Sequence, residues 1–343
     1  MEEIRLNVSL LRKRVPNLTT AAKNAGMRPA TVSNLCTGKI DLGKAEVKTL
    51  VGLAELANCK IDDLIIRGEK RKMIETKIKA LDFFAPLVKG GTTGLVARPG
   101  MGQVVILAEL LHRFKGTELK TVFLAPTDEH PELEGTIELA DQITRGLEDT
   151  LEAIRRFGEQ AVLVTDKEHV DSGLLFELQE ALGNQDSTTT LLVDLSGKVS
   201  DDDFPFGPLE TVWQLDADLA ARHQYPALSP LYSASSILDE RDADEQHFQL
   251  RQRARNLLRR YRELRSIVQS QGEGRLPSAE VETYRRGERL EAYFTQPFYV
   301  AEEFTGQAGK TVPLEQTLSD VAAIMDGRTD EQDVAQLQFI GSL

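Results

Sequence analysis

The alternation of apolar and polar positions divides the chain into two differently patterned parts. Over residues 4–67 the apolar positions come in short clusters broken by glycine, proline or polar turns, which predicts small helices. Ile4, Val8, Leu10 and Leu11 share a helical spacing that ends near Val15-Pro16. LTTAAKNAG (18–26) places Ala21, Ala22 and Ala25 on one side and stops at Gly26, a residue that permits positive φ. RPATVSNLCTGK (28–39) opens with Pro29, suited to a first helical turn, and turns Val32 and Leu35 inward before Gly38. EVKTLVGLAELANCKIDDLII (46–66) carries Val47, Leu50, Val51, Leu53 and Leu56, then a short helix around Leu64. Beyond residue 77 the pattern changes to an apolar strand near 93–97, a glycine-rich turn and an amphipathic helix ending near 114. Strand, glycine turn and helix in that order is the layout of a phosphate-binding loop. TVFLA (121–125) and AVLVTD (161–166) read as buried strands. A long helix around 246–270 carries Leu250, Leu257, Leu258, Leu264 and Val268, for core packing or subunit pairing.

Composition sharpens this picture. With 343 residues, 41% hydrophobic and 28% charged, the chain has material for two or three domains, and collagen-like, mucin-like or wholly disordered classes are excluded. No apolar run approaches ~18 residues, and MEEIRLNVSLLRKRV lacks a signal-peptide core, so a cytoplasmic protein without membrane insertion is expected. Cys36 and Cys59 are too few for a disulfide framework and fit a reducing compartment. Cys36 reads as a small packing residue. The five histidines, His112, His130, His169, His223 and His247, show no metal-ligand spacing, and no metal is expected. The net charge of −13 argues against nucleic acid only as an average. Residues 1–80 carry 16 basic and 9 acidic residues, a net +7, whereas the remainder is −20. Such asymmetry suggests a basic binding module on an acidic body.

The order of small helix, Ala-Ala, Gly, Thr-Val-Ser helix and Gly-Lys resembles the helix-turn-helix of Cro/phage-repressor (Xre-type) DNA-binding proteins, with TLVGLAELANCKIDDLI similar to that family's closing helices. The resemblance implies double-stranded DNA as partner of residues 1–80, read by Arg28, Pro29, Ala30, Ser33 and Asn34 in the major groove, with Lys39 near a phosphate. Leu18 departs from the phosphate-binding Gln common in the family, and a helical protein-interaction module is the alternative. Residues 68–80, rich in charge, are expected to form an exposed linker.

The acidic body resembles the rotary ATP synthase beta subunit. KIKALDFFAP (77–86) parallels that family's GIK-x-x-D-x-x-AP approach to the loop, and YPALSPLYSASSIL (225–238) its YPAVDPL segment. ARNLLRRYRELRSIV (254–268) is similar to its QRYK-x-LQ helix, and FTQPFYVAEEFTGQAGKTVPLEQTL (294–318) follows its Q-P-F-x-VAE-x-FTG…GK-x-VPL almost position by position. The expected fold class is therefore multidomain. An all-α helix-turn-helix domain (1–67) and the linker precede an α/β P-loop NTPase-like (RecA-like) domain (81–242) and an α-helical bundle (243–343).

Against the family pattern the catalytic set is broken. The aligned octet runs from Ala97 to Val104 and keeps Gly100 and Gly102, but Gln103 replaces the lysine and Val104 the magnesium-binding hydroxyl. Glutamine brings no charge to a developing phosphoryl group, so ATPase activity is not expected. Asp166 stands at the place of a metal-organising carboxylate, or caps the next turn. Where the family has GERTREG this chain has PTDEHPELEG, with Asp128 or Glu129 as the only approximate acids and no arginine. Tyr225 and Phe298 match positions that flank adenine in the family, for stacking or for packing between domains. The only ligand these residues suggest is ATP or ADP without magnesium. The family's acidic DELSEED loop is reduced to EGRLPSAE (273–280). The sequence thus predicts a DNA-binding, transcription-regulatory protein, a homo-oligomer (dimer), with a pseudo-ATPase body for oligomerisation, partner binding or nucleotide sensing. The alternatives are an assembly protein for ATP synthase-like subunits and a residual ATPase.

Overall fold

The computed structural model describes residues 4–15, 17–67, 72–98, 100–127, 130–182, 188–195, 206, 209–238 and 244–343. Strand β1 (Ile4–Leu6) pairs antiparallel with β2 (Ile65–Arg67), tying together the two ends of the N-terminal unit. Between them run α1 (Val8–Arg14), α2 (Leu18–Asn24), α3 (Pro29–Cys36) and α4 (Val47–Leu56). Ile4 lies in a strand rather than on the predicted helix. The Asn7 side chain accepts from Leu10 N at 3.1 Å, which starts α1 one residue after Leu6. The unit has its own core, in which Leu11, Ala22, Val32, Leu35, Leu53 and Cys36 are buried.

Residues 72–80 differ from the expected exposed linker. β3 (Met73–Ile74) pairs antiparallel with β4 (Leu87–Val88), and Ile74, Thr76 and Ile78 are buried in alternation. Charged Glu75 and Lys77 between the buried positions gave this stretch the composition of a linker while its period was that of an extended strand. α5 (Lys79–Phe84) follows and is buried along its length.

Among the described residues, seven strands form the main sheet: β5 (Thr92–Val96), β6 (Lys120–Leu124), β7 (Gln142–Thr144), β8 (Ala161–Asp166), β9 (Thr189–Val193), β10 (Thr211–Gln214) and β11 (Ala234–Ser235). Their order is β11-β10-β5-β9-β8-β6-β7, with every pair parallel except β11 on β10. β5, β8 and β9 are buried at every position, as expected of parallel strands covered on both faces. α6 (Gln103–Phe114) packs on one face with α5. α7 (Leu147–Phe157), followed by the single-turn α8 (Glu168–Asp171) and α9 (Leu174–Leu182), closes the other. After α10 (Ala217–Ala221) come α11 (Glu245–Gln271), α12 (Val281–Tyr293), α13 (Glu302–Thr305) and α14 (Leu314–Met325). These C-terminal helices share one continuous core with the sheet: Leu250, Leu258, Leu290 and Ile324 belong to the same cluster as Leu95, Leu107 and Trp213.

The N-terminal unit is seated on this body at two places. The buried Arg12 guanidinium donates to the carbonyl of Phe206 at 2.8 Å. Burial pulls its pKa down to about 10, opposed by the negative charge of Glu210. Gly94, in the middle of β5, makes room for that carbonyl's own ring: a Cβ there would lie 2.6 Å from Phe206 and from Leu209. At the second place Lys39 Nζ donates to the carbonyl of Tyr232 at 3.2 Å.

Candidate functional site

The loop after β5 makes a glycine turn that leads into α6. Gly100 (φ +81°) and Gly102 (φ +93°) take the left-handed conformation that lets the chain fold back into α6, with Gly102 as its N-cap. Gln103 is buried and Val104 packs against the core. Met101 turns its thioether into the loop, where Sδ accepts the Arg98 N–H at 3.2 Å. One of the amides that a phosphate would need is thereby bonded to a neutral, weakly accepting sulfur. Arg98 is exposed.

Beside the loop, the strand ends are stitched together. Asp166, at the end of β8, accepts from Glu168 N and Leu195 N, both at 2.8 Å, one on each carboxylate oxygen. Burial raises its pKa, with Glu168 and Asp194 adding to the rise. Glu168 itself accepts from Thr127 N, and His169 Nδ1 lies 2.8 Å from Thr165 Oγ1. Burial lowers the His169 pKa and keeps the ring neutral at pH 7. Asp166 thus forms a bridge between the turn after β8 and the segment after β9. Asp128 and Glu129 lie outside the described residues. Among the described residues, no group of three or more His, Cys, Asp or Glu is arranged to hold a metal ion.

The two aromatic positions are placed differently. Phe298 is 6% exposed and belongs to the core between sheet and C-terminal helices. Tyr225 is half-buried and flanks the loop, its ring 3.6 Å from where a Cβ on Gly102 would stand. The Tyr225 carbonyl accepts from Gln296 N at 3.0 Å, which ties the two segments together. Next to Phe298, Tyr299 stacks on His112 of α6, with ring centroids 5.3 Å apart.

On α3, Arg28 and Ala30 are exposed at the N-terminal end, and Pro29, Ser33 and Asn34 are half-buried. Lys39, beyond the helix, is turned toward the body rather than away from it. Three cations escaped sequence reasoning. Lys79 is fully buried, its Nζ donating to the carbonyls of Tyr293 and Ile340 at 2.5 and 2.9 Å. Arg12 and Arg255 hold the N-terminal unit and its docking face. Their only sequence signal was charge at positions in register with apolar neighbours.

A mostly parallel sheet between helices, with a glycine loop leading from β5 into α6 and a helical C-terminal region, is consistent with an α/β P-loop-like domain. No family model matches the chain. It is similar to curated ATP synthase beta subunits. It is 27% identical over 331 residues to ATP synthase subunit beta 2 of Bradyrhizobium sp. (strain BTAi1 / ATCC BAA-1182), covering 80% of this chain and 70% of that one. It is 29% identical over 332 residues to ATP synthase subunit beta 2 of Syntrophotalea carbinolica, covering 81% and 70%. Among solved structures, a unique ATP synthase subunit, NeqB from Nanoarcheaum equitans, shares the fold with a TM-score of 0.55 at 14% identity, over 76% of this chain and 77% of that one. No helix among the described residues is long and apolar enough to cross a membrane.

Proposed function

We propose that the chain is an ATP synthase beta-like protein that works by association with ATP synthase-like subunits, without phosphoryl transfer. The observation that carries this reading is the loop, in which Met101 sulfur, Gln103 and Val104 stand where a phosphate, a cation and a magnesium ligand would be needed. Electrostatic stabilisation of the transferring group is the main contribution of such sites, and little of it is left. The strand-end Asp166 supports the same reading, since both its oxygens already bridge two turns. ATP or ADP without magnesium is the residual ligand this body allows, with Tyr225 as its stacking face. The test is co-purification and size-exclusion chromatography with an ATP synthase alpha-type subunit, beside single-turnover hydrolysis with magnesium. A stable complex without hydrolysis above background is expected. Hydrolysis that disappears in Asp166→Asn would overturn the reading.

DNA binding by residues 1–67 is a second reading, favoured by the exposure of Arg28 and Ala30 at the open end of α3 and by the +7 charge of residues 1–80. It calls for a homodimer, because one short helix reads few base pairs. Anisotropy of a labelled duplex titrated with the full chain across a salt series tests it. Affinity that does not change with salt, or none at all, removes it.

A further inference from the structure

The N-terminal unit and the body meet without sharing a core. The buried cluster around Leu11, Val32 and Leu53 is built from residues 4–65, and among the described residues no apolar cluster of the body includes any of them. Hydrogen bonds cross the seam from cations to carbonyls, from Arg12 to Phe206 at 2.8 Å and from Lys39 to Tyr232 at 3.2 Å. Between the turn after α3 and α11 the seam opens into a cleft of about 290 Å³, with Gly38, Lys39 and Ile40 on one wall and Phe248, Gln252 and Arg255 on the other. We infer that this seam is an autoinhibitory contact: the unit must leave α11 before a duplex can lie along α3. The inference rests on the reading of residues 1–67 as a DNA-binding module.

Two features of the docked state oppose DNA contact. The DNA reading gives Lys39 a phosphate, and here its ammonium is bonded to a carbonyl of the body. The same reading lays α3 in a major groove roughly 12 Å wide, with the duplex continuing past both ends of the helix. At the N-terminal end, Arg28 and Ala30 are exposed. At the C-terminal end, Thr37 and Gly38 line the cleft, and α11 stands across it. A space of about 290 Å³ is on the scale of a small-molecule site and does not admit a duplex.

The chemistry of the seam lets it part. Contacts between domains of one chain permit relative motion unless they are large and apolar, and this one joins two closed cores. A hydrogen bond to a carbonyl exchanges for one to water at small net loss. Arg12 is buried at the seam, and burial pulls its pKa down to about 10, so release returns a desolvated cation to water. The negative charge of Glu210 opposes that shift and favours the docked state. Two effects of opposite sign thus act on one side chain. A module docked about nine times in ten shows about one tenth of its intrinsic affinity, which sets the scale of the expected effect.

The full chain is tested by locking and by releasing the seam, with anisotropy of a labelled mixed-sequence duplex across a salt series as the readout. Lys44→Cys/Gln252→Cys, in a Cys59→Ser background, puts one thiol on each wall of the cleft at exposed positions. A bis-maleimide with a reducible spacer then holds the unit on the body. The linked protein is expected to bind the duplex at least about tenfold more weakly than the same protein after the spacer is reduced. Arg12→Gln, outside the DNA-facing set, releases the seam and is expected to bind about tenfold more tightly than wild type. Should Arg12→Gln melt below the assay temperature, the linked and reduced pair decides. Failure of the link to form overturns the docked geometry. Linked and reduced forms that bind equally, with an affinity that falls with salt, overturn the autoinhibition and leave the DNA reading standing. Absence of binding by the reduced protein and by Arg12→Gln at every salt concentration removes the DNA reading, and this inference with it.

Discussion

Replacing Lys79 by methionine should change how the stability of the protein depends on pH. Lys79 is wholly buried, and burial brings its pKa from the ordinary 10.5 to about 7, against the opposing pull of Asp320. A neutral amine has two N–H donors, and two carbonyls, of Tyr293 and Ile340, receive them. Between the two pKa values the unfolded chain holds the proton and the folded chain does not, so stability rises with pH across that window and is flat below it. The contribution is complete above the unfolded value and is lost as pH falls toward the folded one. The cost reaches about 4 kcal/mol at pH 7, and from about pH 7.5 to about pH 9.5 it shrinks by about 2.5 kcal/mol. Methionine keeps the length of the side chain and removes the proton equilibrium. Urea unfolding followed by the fluorescence of the single, buried Trp213 measures both proteins across that range. Wild type should gain on Lys79→Met by about 2.5 kcal/mol as pH rises through it. A difference constant to within about 0.5 kcal/mol would show that Lys79 keeps its charge in the fold and would refute the reasoning.

Other expectations follow from the same contacts. Arg12→Ala leaves the carbonyl of Phe206 without the guanidinium that donates to it and removes the cation facing Glu210; a loss of about 3 kcal/mol in urea unfolding is expected. Gln103→Lys/Val104→Thr restores two side chains of the loop but not the amide bonded to Met101 or a water-activating acid. Single-turnover hydrolysis should stay at background, and a rise of about tenfold would show that those two positions were sufficient. Asp166→Asn keeps one acceptor for two backbone donors, so a loss of about 1 kcal/mol without any change in partner binding is expected by denaturation and size-exclusion chromatography.

The inward positions of the N-terminal unit were legible because its helices are short and each carries one clear apolar face: Val32 and Leu35 are buried as their spacing required. The buried strands β5 and β8, ending at Val96 and Asp166, were legible as apolar runs, β5 one residue earlier than the sequence suggested. Ile4 was misplaced because its strand partner, Arg67, lies at the far end of the unit, and pairing at that distance leaves no local period. The stretch from 72 to 80 was hidden by composition, since Glu75 and Lys77 stand exposed between Ile74, Thr76 and Ile78. Within the glycine loop, the contact of Met101 Sδ with the Arg98 amide was not legible, because a thioether aimed at an amide has no pattern in one dimension. The cleft between the units was beyond reach from sequence. Lys39 and Arg255 are 216 positions apart and line one cleft between the N-terminal unit and the body, which Arg12 and Lys39 help to hold together.

Gly94 gives that seating a consequence for descent. It lies in an interior strand of the body, yet the space it leaves is taken by Phe206, whose carbonyl receives Arg12. A single methyl group at 94 would displace Phe206 and so reach the N-terminal unit through the sheet. The two parts are therefore not interchangeable beads on a string. Grafting residues 1–67 onto another beta-like body would transfer the helices but not their orientation, unless the recipient strand also carried a glycine at this place. The join has its own heredity, written in the body as much as in the module it carries.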